Sequence, residues 1–150
     1  MKSLEITDVM SFPFLKLRDG LYTSYQLHFT IGRPVALRIG KLGRYTLPAG
    51  SYVYTGSARS RLRARILRHI SMKKKLHWHI DYLLANPGIT LRKIVLFRMK
   101  ECKLNRRTPG DIIVRGFGSS DCRAGCGSHL KFKTDDAKRT NRHSRRVIGD

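Results

Sequence analysis

Between Tyr22 and Ile31 polar and apolar side chains alternate, with Tyr25, Leu27 and Phe29 on one side of the chain. A period of two suits a strand with one buried face and is of no use to a helix. Val35 to Ile39 repeats the pattern, and Gly32-Arg33-Pro34 between the two runs has hairpin chemistry. Gly40, Gly43, Pro48 and Gly50 then punctuate a loop, Ser51-Tyr52-Val53-Tyr54 reads as another strand, and Gly56-Ser57-Ala58 ends it. There the period changes. Leu62, Ile66 and Ile70 recur every fourth residue, which predicts a helix from about Ser60 to Ser71. A second helix is expected from His77 to Ala85, closed by Asn86-Pro87-Gly88, then a strand from Leu91 to Met99 and a short helix from Glu101 to Arg107. The glycine-rich stretch Gly110 to Ser120 is expected to turn back as a hairpin. Strand pairs on short turns, followed by helices, favour α+β with a small, mainly antiparallel sheet over parallel βαβ layers.

The 150 residues suffice for one domain, and 41% hydrophobic content suffices for a core. Residues 1–19 read as a flexible or capping leader, 20–132 as the domain, and 133–150 as a basic, disordered tail. No apolar run approaches the roughly 20 residues that span a bilayer, and no signal-peptide core is visible. Three cysteines, an odd number, argue against a disulfide framework and for a reducing compartment. A cytoplasmic location without membrane association is the expectation.

Charge sharpens the functional reading. Lys and Arg number 31 against 10 Asp and Glu, a formal charge of +21, which suits a polyanionic partner. No acid lies between Gly20 and Ile80, whereas eight cations fall between Arg59 and Lys75. An exposed basic helix ordinarily carries acids for i,i+4 pairs, and this one has none. Arg59, Arg61, Arg68, Lys73, Lys74 and Lys75 are therefore the expected phosphate contacts. A merely solvated helix is the blander alternative.

Tyr54-Thr55-Gly56-Ser57-Ala58, followed by Arg65 and His69 at i, i+4, is the most informative cluster. Arginine can clamp a phosphate with two parallel N–H bonds, and histidine can move a proton near neutral pH. On spacing alone, Tyr54 as a strand aromatic and His69 as a helix C-terminal residue remain equally open. Cys122, Cys126 and His129 have a spacing that could hold zinc. With only Cys102 as a fourth ligand and no Cys-x-x-Cys pair, a zinc site is not expected. His77-Trp78-His79-Ile80-Asp81 imitates a metallo-hydrolase motif, but the remaining ligands that motif needs are missing, so Trp78 and Ile80 are read as core.

The ordered set Gly40-Lys41-Leu42-Gly43, Tyr52-Val53-Tyr54-Thr55-Gly56-Ser57-Ala58, Arg65 to His69, His77 to Leu83, Glu101-Cys102, Gly116 to Cys122 and Ser128-His129-Leu130 resembles the GIY-YIG nucleases. More closely, it is similar to a branch of them long catalogued as a domain of unknown function, over about residues 20–132. Tyr25 fits the spacing of the first-motif tyrosine better than Tyr22, with Thr23 where the family has glycine. The Cys122 to Cys126 interval is longer than in the family. The resemblance implies a three-stranded antiparallel core and metal-dependent phosphodiester cleavage in DNA.

In such a site Arg65 would stabilise developing charge, and Tyr25 or Tyr54 would position or deprotonate water with help from His69 and with His77 near. Tyrosine is a poor base at its ordinary pKa of about 10, so nearby cations are expected to depress it. A divalent ion, Mg²⁺ or Mn²⁺, needs a hard oxygen ligand. Of the two glutamates, Glu5 lies in the leader, which leaves Glu101, otherwise a helix N-terminal acid. The alternative function is a non-catalytic DNA- or RNA-binding module on the same fold.

Overall fold

The computed structural model describes residues 3–9, 20–58, 61–71, 73–119 and 122–133. The chain runs β1 (Ser3–Ile6), β2 (Ser24–Ile31), β3 (Val35–Arg38), β4 (Arg44–Leu47), β5 (Gly50–Ser57), α1 (Leu62–Ile70), α2 (His79–Leu84), β6 (Ile89–Phe97), α3 (Glu101–Arg107) and β7 (Leu130–Phe132). The class is α+β. Its main sheet is antiparallel throughout, with strand order β1-β6-β2-β5-β7.

The sheet therefore has five strands and not three. Both extra strands lie at its edges. Ser3–Ile6, expected in a flexible leader, pairs with β6 from Ser3–Phe97 to Ile6–Ile94. Leu130–Phe132 adds to β5 on the far side. The hairpin expected at Gly32-Arg33-Pro34 does not join β2 to β3. Both edges of β2 are taken, by β5 and β6, and β3 turns away to pair with β4, which lies in the stretch expected to be loop. The side chains of β3 alternate between half-buried and exposed, so it has no second apolar face for an interior position.

On one face of the sheet Tyr25, Leu27 and Phe29 meet Tyr54, Tyr52, Ile94 and Leu96, all at most 8% exposed. Helices α1 and α2 cover this face with Leu62, Ile66, Ile80 and Leu83, each at 0% exposure. Burial of such a side chain stabilises by about 1.5–3 kcal/mol, which outweighs the weak helix propensity of the β-branched residues here. The other face carries Gln26 and Thr55. The Gln26 amide donates to Thr55 Oγ1 at 3.2 Å and to Thr108 Oγ1, just beyond α3, at 2.7 Å. The hairpin expected within 110–120 is not formed. Gly116 and Gly118 turn the chain at φ +81° and +66°, Phe117 is fully buried, and the partner of Asp111 is Phe132, in β7. The tail beyond Lys133 lies outside the described residues, within which no helix is long and apolar enough to cross a membrane.

Candidate active site

Tyr25 and Gly56 stand opposite each other in the β2–β5 ladder. A Cβ at Gly56 would lie 2.5 Å from Tyr25 Cζ and 2.6 Å from its hydroxyl, so only glycine lets the ring lie across β5. Placed there, the Tyr25 hydroxyl is 2.6 Å from His69 Nε2, at the last turn of α1. The Arg65 guanidinium, one helical turn earlier, acts on the same hydroxyl and favours its charged form. Tyr54 stands on the same face, its ring 6.5 Å from those of both Tyr25 and His69. Gly118 allows the loop to lie against it: a Cβ there would meet the Tyr54 ring at 2.9 Å. Tyr22 is only half-buried and lies beside Arg98.

Burial decides the protonation states. Desolvation, with Tyr54 nearby, holds the Tyr25 phenol well above its ordinary pKa, and Arg65 does not reverse this. Tyr54 is raised too, by burial first and by Glu101 second. The depression expected from neighbouring cations is thus overridden, because removing a phenolate from water costs more than one guanidinium returns. His69, 3% exposed, is pushed down to about 3 by burial and then by the positive charge of Lys74. The site therefore holds a neutral imidazole against a neutral phenol, with the Tyr25 hydroxyl and His69 Nε2 sharing one hydrogen bond.

Arg65 is steadied from outside. Its guanidinium carbon is 4.9 Å from the centre of the Trp78 ring, and that of Arg68 is 4.8 Å from it. Trp78, read as core, is half-buried and serves as the surface on which both arginines lie. Arg68 is fixed by Asp81, whose Oδ2 accepts from Arg68 Nη2 at 2.7 Å, from Trp78 N at 2.8 Å and from His77 N at 3.0 Å. The acid that α1 lacks in its own sequence comes from α2.

An open cleft of about 700 Å³ lies at the end of the sheet where β5 finishes and α3 begins. Tyr54, Arg65 and Glu101 line it, together with His77, Trp78, His79, Gly118, Cys122, Arg123 and His129. Glu101, in the first turn of α3, accepts from His129 Nδ1 at 2.9 Å through Oε2. Burial lowers the His129 pKa, but the bond to Glu101 and the neighbouring Cys122 sulfur outweigh it and raise it to about 9. Cys102, Cys122, Cys126 and His129 offer Sγ and nitrogen atoms that all lie within 4.8 Å of one another, and among the described residues they are the group that could hold a metal ion.

Of the residues expected to act, the fold brings Tyr25, Tyr54, Arg65, His69 and Glu101 around one end of the sheet. His77 is exposed at the cleft rim, its backbone rather than its ring holding Asp81. The expected phosphate contacts divide. Arg68 is bound to Asp81 and to the Lys75 carbonyl, and Lys74 Nζ donates to the His69 carbonyl at 2.8 Å, closing α1. Both are therefore engaged inside the fold. Arg61, Lys73 and Lys75 are exposed and available, while Arg59 lies outside the described residues. Sequence reasoning passed over His79, whose Nδ1 accepts from Gly118 N at 2.8 Å and so ties the loop to α2, and it set aside the Cys/His cluster. The four ligands were legible in the sequence, but without a Cys-x-x-Cys pair their spacing did not single them out.

A family model described as "Domain of unknown function DUF123" matches residues 24–149. No curated protein and no solved structure matches the chain.

Proposed function

The chain belongs to the family described as domain of unknown function DUF123, and we propose that it is a metal-dependent endonuclease of the GIY-YIG type, hydrolysing phosphodiester bonds in DNA. One observation carries the reading: a buried phenol shares a hydrogen bond with a neutral imidazole beside an arginine, and that arginine lines an open cleft. A surface that only binds nucleic acid has no use for such a pair beneath it.

Tyr54, in the cleft wall, orients the attacking water. As the water oxygen bonds to phosphorus, its proton passes to the Tyr54 oxygen at the cleft while the Tyr54 hydroxyl proton passes to solvent, and the buried Tyr25–His69 pair holds Arg65 in place from beneath. No tyrosinate has to exist beforehand, in keeping with the raised phenol pKa values. The ester oxygen departs and takes a proton from solvent. Arg65 meets the charge that accumulates on the phosphoryl oxygens. Glu101, 26% exposed and with only Oε2 used by His129, suits Mg²⁺ or Mn²⁺, which Mg²⁺-type sites hold through one or two carboxylates and water. When bound, the ion supplies neutralisation of phosphate charge. Exposed Lys73, Lys75 and Arg61 supply sequence-independent contacts to the backbone.

The test is nicking of supercoiled, branched and single-stranded DNA with Mg²⁺ or Mn²⁺. Arg65→Ala should lower the rate by about 10²–10³-fold and leave affinity within a few-fold. Retained DNA binding without metal-dependent cleavage of any of the three would overturn the enzyme reading and leave the binding module.

A further inference from the structure

From the arrangement of Cys102, Cys122, Cys126 and His129 we propose a tetrahedral zinc site that fastens the loop between Asp111 and β7 to the start of α3. A tetrahedral Zn²⁺ with Zn–S bonds of about 2.3 Å and a Zn–N bond of about 2.0 Å separates sulfur atoms by about 3.8 Å and sulfur from nitrogen by about 3.5 Å. Here Cys102 Sγ is 3.5 Å from Cys122 Sγ and 4.0 Å from His129 Nε2, and all four ligand atoms lie within 4.8 Å of one another. Both of these separations lie within about 0.5 Å of a tetrahedron edge, and none of the six exceeds 4.8 Å.

The histidine is prepared for the role. Its Nδ1–H donates to Glu101 Oε2 at 2.9 Å, so in the neutral ring Nε2, the atom beside Cys102 Sγ, keeps its lone pair. Carboxylate support on the far nitrogen is the usual way a metal-bound histidine is oriented. The backbone is shaped to match. Gly125 and Gly127, on either side of Cys126, take φ +73° and +80°, a backbone open to glycine, and Cys126 lies within the group. Cys122 is held in turn by its N–H to the Ser119 carbonyl at 3.0 Å. Four protein ligands with three thiolates close the coordination shell, which marks a structural zinc site and not a catalytic one with an open position. Binding requires three thiolates and a free Nε2 lone pair, so it displaces protons and tightens as the pH rises.

The site also has something to hold. From Ile112 to Ser128 the described residues contain neither helix nor strand, yet this loop supplies Gly118, Cys122 and Arg123 to the cleft wall. Zinc would fix that wall against α3, and through His129 it would fix the Glu101 carboxylate at the cleft.

Metal analysis of the full chain, purified from zinc-supplemented cells, reads this without any substrate and so stands or falls apart from the nuclease reading. About one zinc per chain is expected, released as the thiols are titrated with a mercurial. Replacement by Co²⁺ should give the visible d–d bands of a tetrahedral site with thiolate charge transfer. Cys126→Ser should lose the charge-transfer intensity of one thiolate. Glu101→Ala should weaken zinc binding by about 10–100-fold while keeping the native circular dichroism. A chain that is metal-free and takes up neither Zn²⁺ nor Co²⁺ would overturn the proposal. So would bound iron with sulfide absorption, or a Cys102–Cys122 disulfide in the freshly isolated protein.

Discussion

Mild acid is the most direct probe of the Tyr25–His69 pair. His69 lies against Tyr25 and Tyr54, with Arg65, Arg68 and Lys74 as the cations facing it and Asp81 as the opposing acid. Burial is the largest of these influences, and together they lower its pKa from 6.5 to about 3. The unfolded chain therefore takes up this proton below pH 6.5, whereas the folded chain refuses it until about pH 3. The native state keeps its full advantage above pH 6.5 and loses it progressively as the pH falls from 6.5 toward 3. Each pH unit in that window removes about 1.4 kcal/mol, so the loss reaches about 2 kcal/mol at pH 5, with a ceiling of about 5 kcal/mol over the whole shift. Urea unfolding from pH 7.5 to 4.5 measures the slope. His69→Phe, which keeps the aromatic volume, removes this proton from the balance and should flatten the slope by one proton's worth. His28, also held down by burial, contributes equally to both proteins and cancels. In the native protein the His69 ring resonances should stay those of a neutral imidazole down to pH 5. A titration centred near 6.5, or equal slopes for the two proteins, would refute the reasoning. His69 keeps one protonation state across this range, so cleavage should show no acidic limb from it near pH 6.5.

Three further outcomes follow from the geometry. Gly56→Ala drives a Cβ into the Tyr25 ring, and the rigid strand pairing leaves the phenol to move; a loss of about 1–3 kcal/mol by urea unfolding, with cleavage abolished, is expected. Asp81→Asn removes the charge that anchors Arg68 but keeps an oxygen for the backbone donors; with Arg68 30% exposed, the cost should be about 2 kcal/mol, read as a drop of about 4–8 °C in Tm. That Tm difference from the native protein should shrink as the pH falls below about 4, because the Asp81 carboxyl is held below its ordinary 3.8 by Arg68 and the Trp78 and His77 N–H groups. For DNA, Lys73→Ala and Lys75→Ala should each lower the slope of log K against log salt by about one, whereas Arg68→Ala should lower Tm more than affinity.

What the sequence disclosed follows the range over which its signals act. The period of two in β2 and the four-residue stripe of α1 are local and long, and both elements stand where the pattern places them. Glu101–Arg107 forms a helix over those same residues. The strands that escaped notice, β1, β4 and β7, have three or four residues each, too few to show a period. They exist because a neighbouring strand edge accepts them, which is a tertiary effect. The same holds at the site. Tyr54, Arg65 and His69 could be read from a turn and one helical repeat. The capture of Arg68 by Asp81 and the return of Cys102 to Cys122 join different elements, and the sequence could not show them. The tyrosine pKa values went the other way for a related reason: cations can be counted along a chain, but burial cannot.

Glu101 is the point at which the two proposals meet, and two substitutions separate them. The carboxylate does three things at once: it favours the first turn of α3 through the helix dipole, it accepts from His129, and it offers a hard oxygen to a divalent ion at the cleft. Glutamine keeps an oxygen that can accept from His129 Nδ1 but has no charge for Mg²⁺. Glu101→Gln should therefore abolish metal-dependent nicking and leave zinc affinity within about 10-fold of the native protein, because the bond to His129 survives. Alanine loses both functions, so Glu101→Ala should abolish nicking and also weaken zinc by the larger factor. The dipole contribution, about 0.3–1 kcal/mol, is lost equally in both and does not separate them. If the glutamine protein still nicks DNA at the native rate, the hard-ligand role is wrong whatever the zinc content. If both proteins hold zinc as tightly as the native chain, the bond to His129 is not what orients the site.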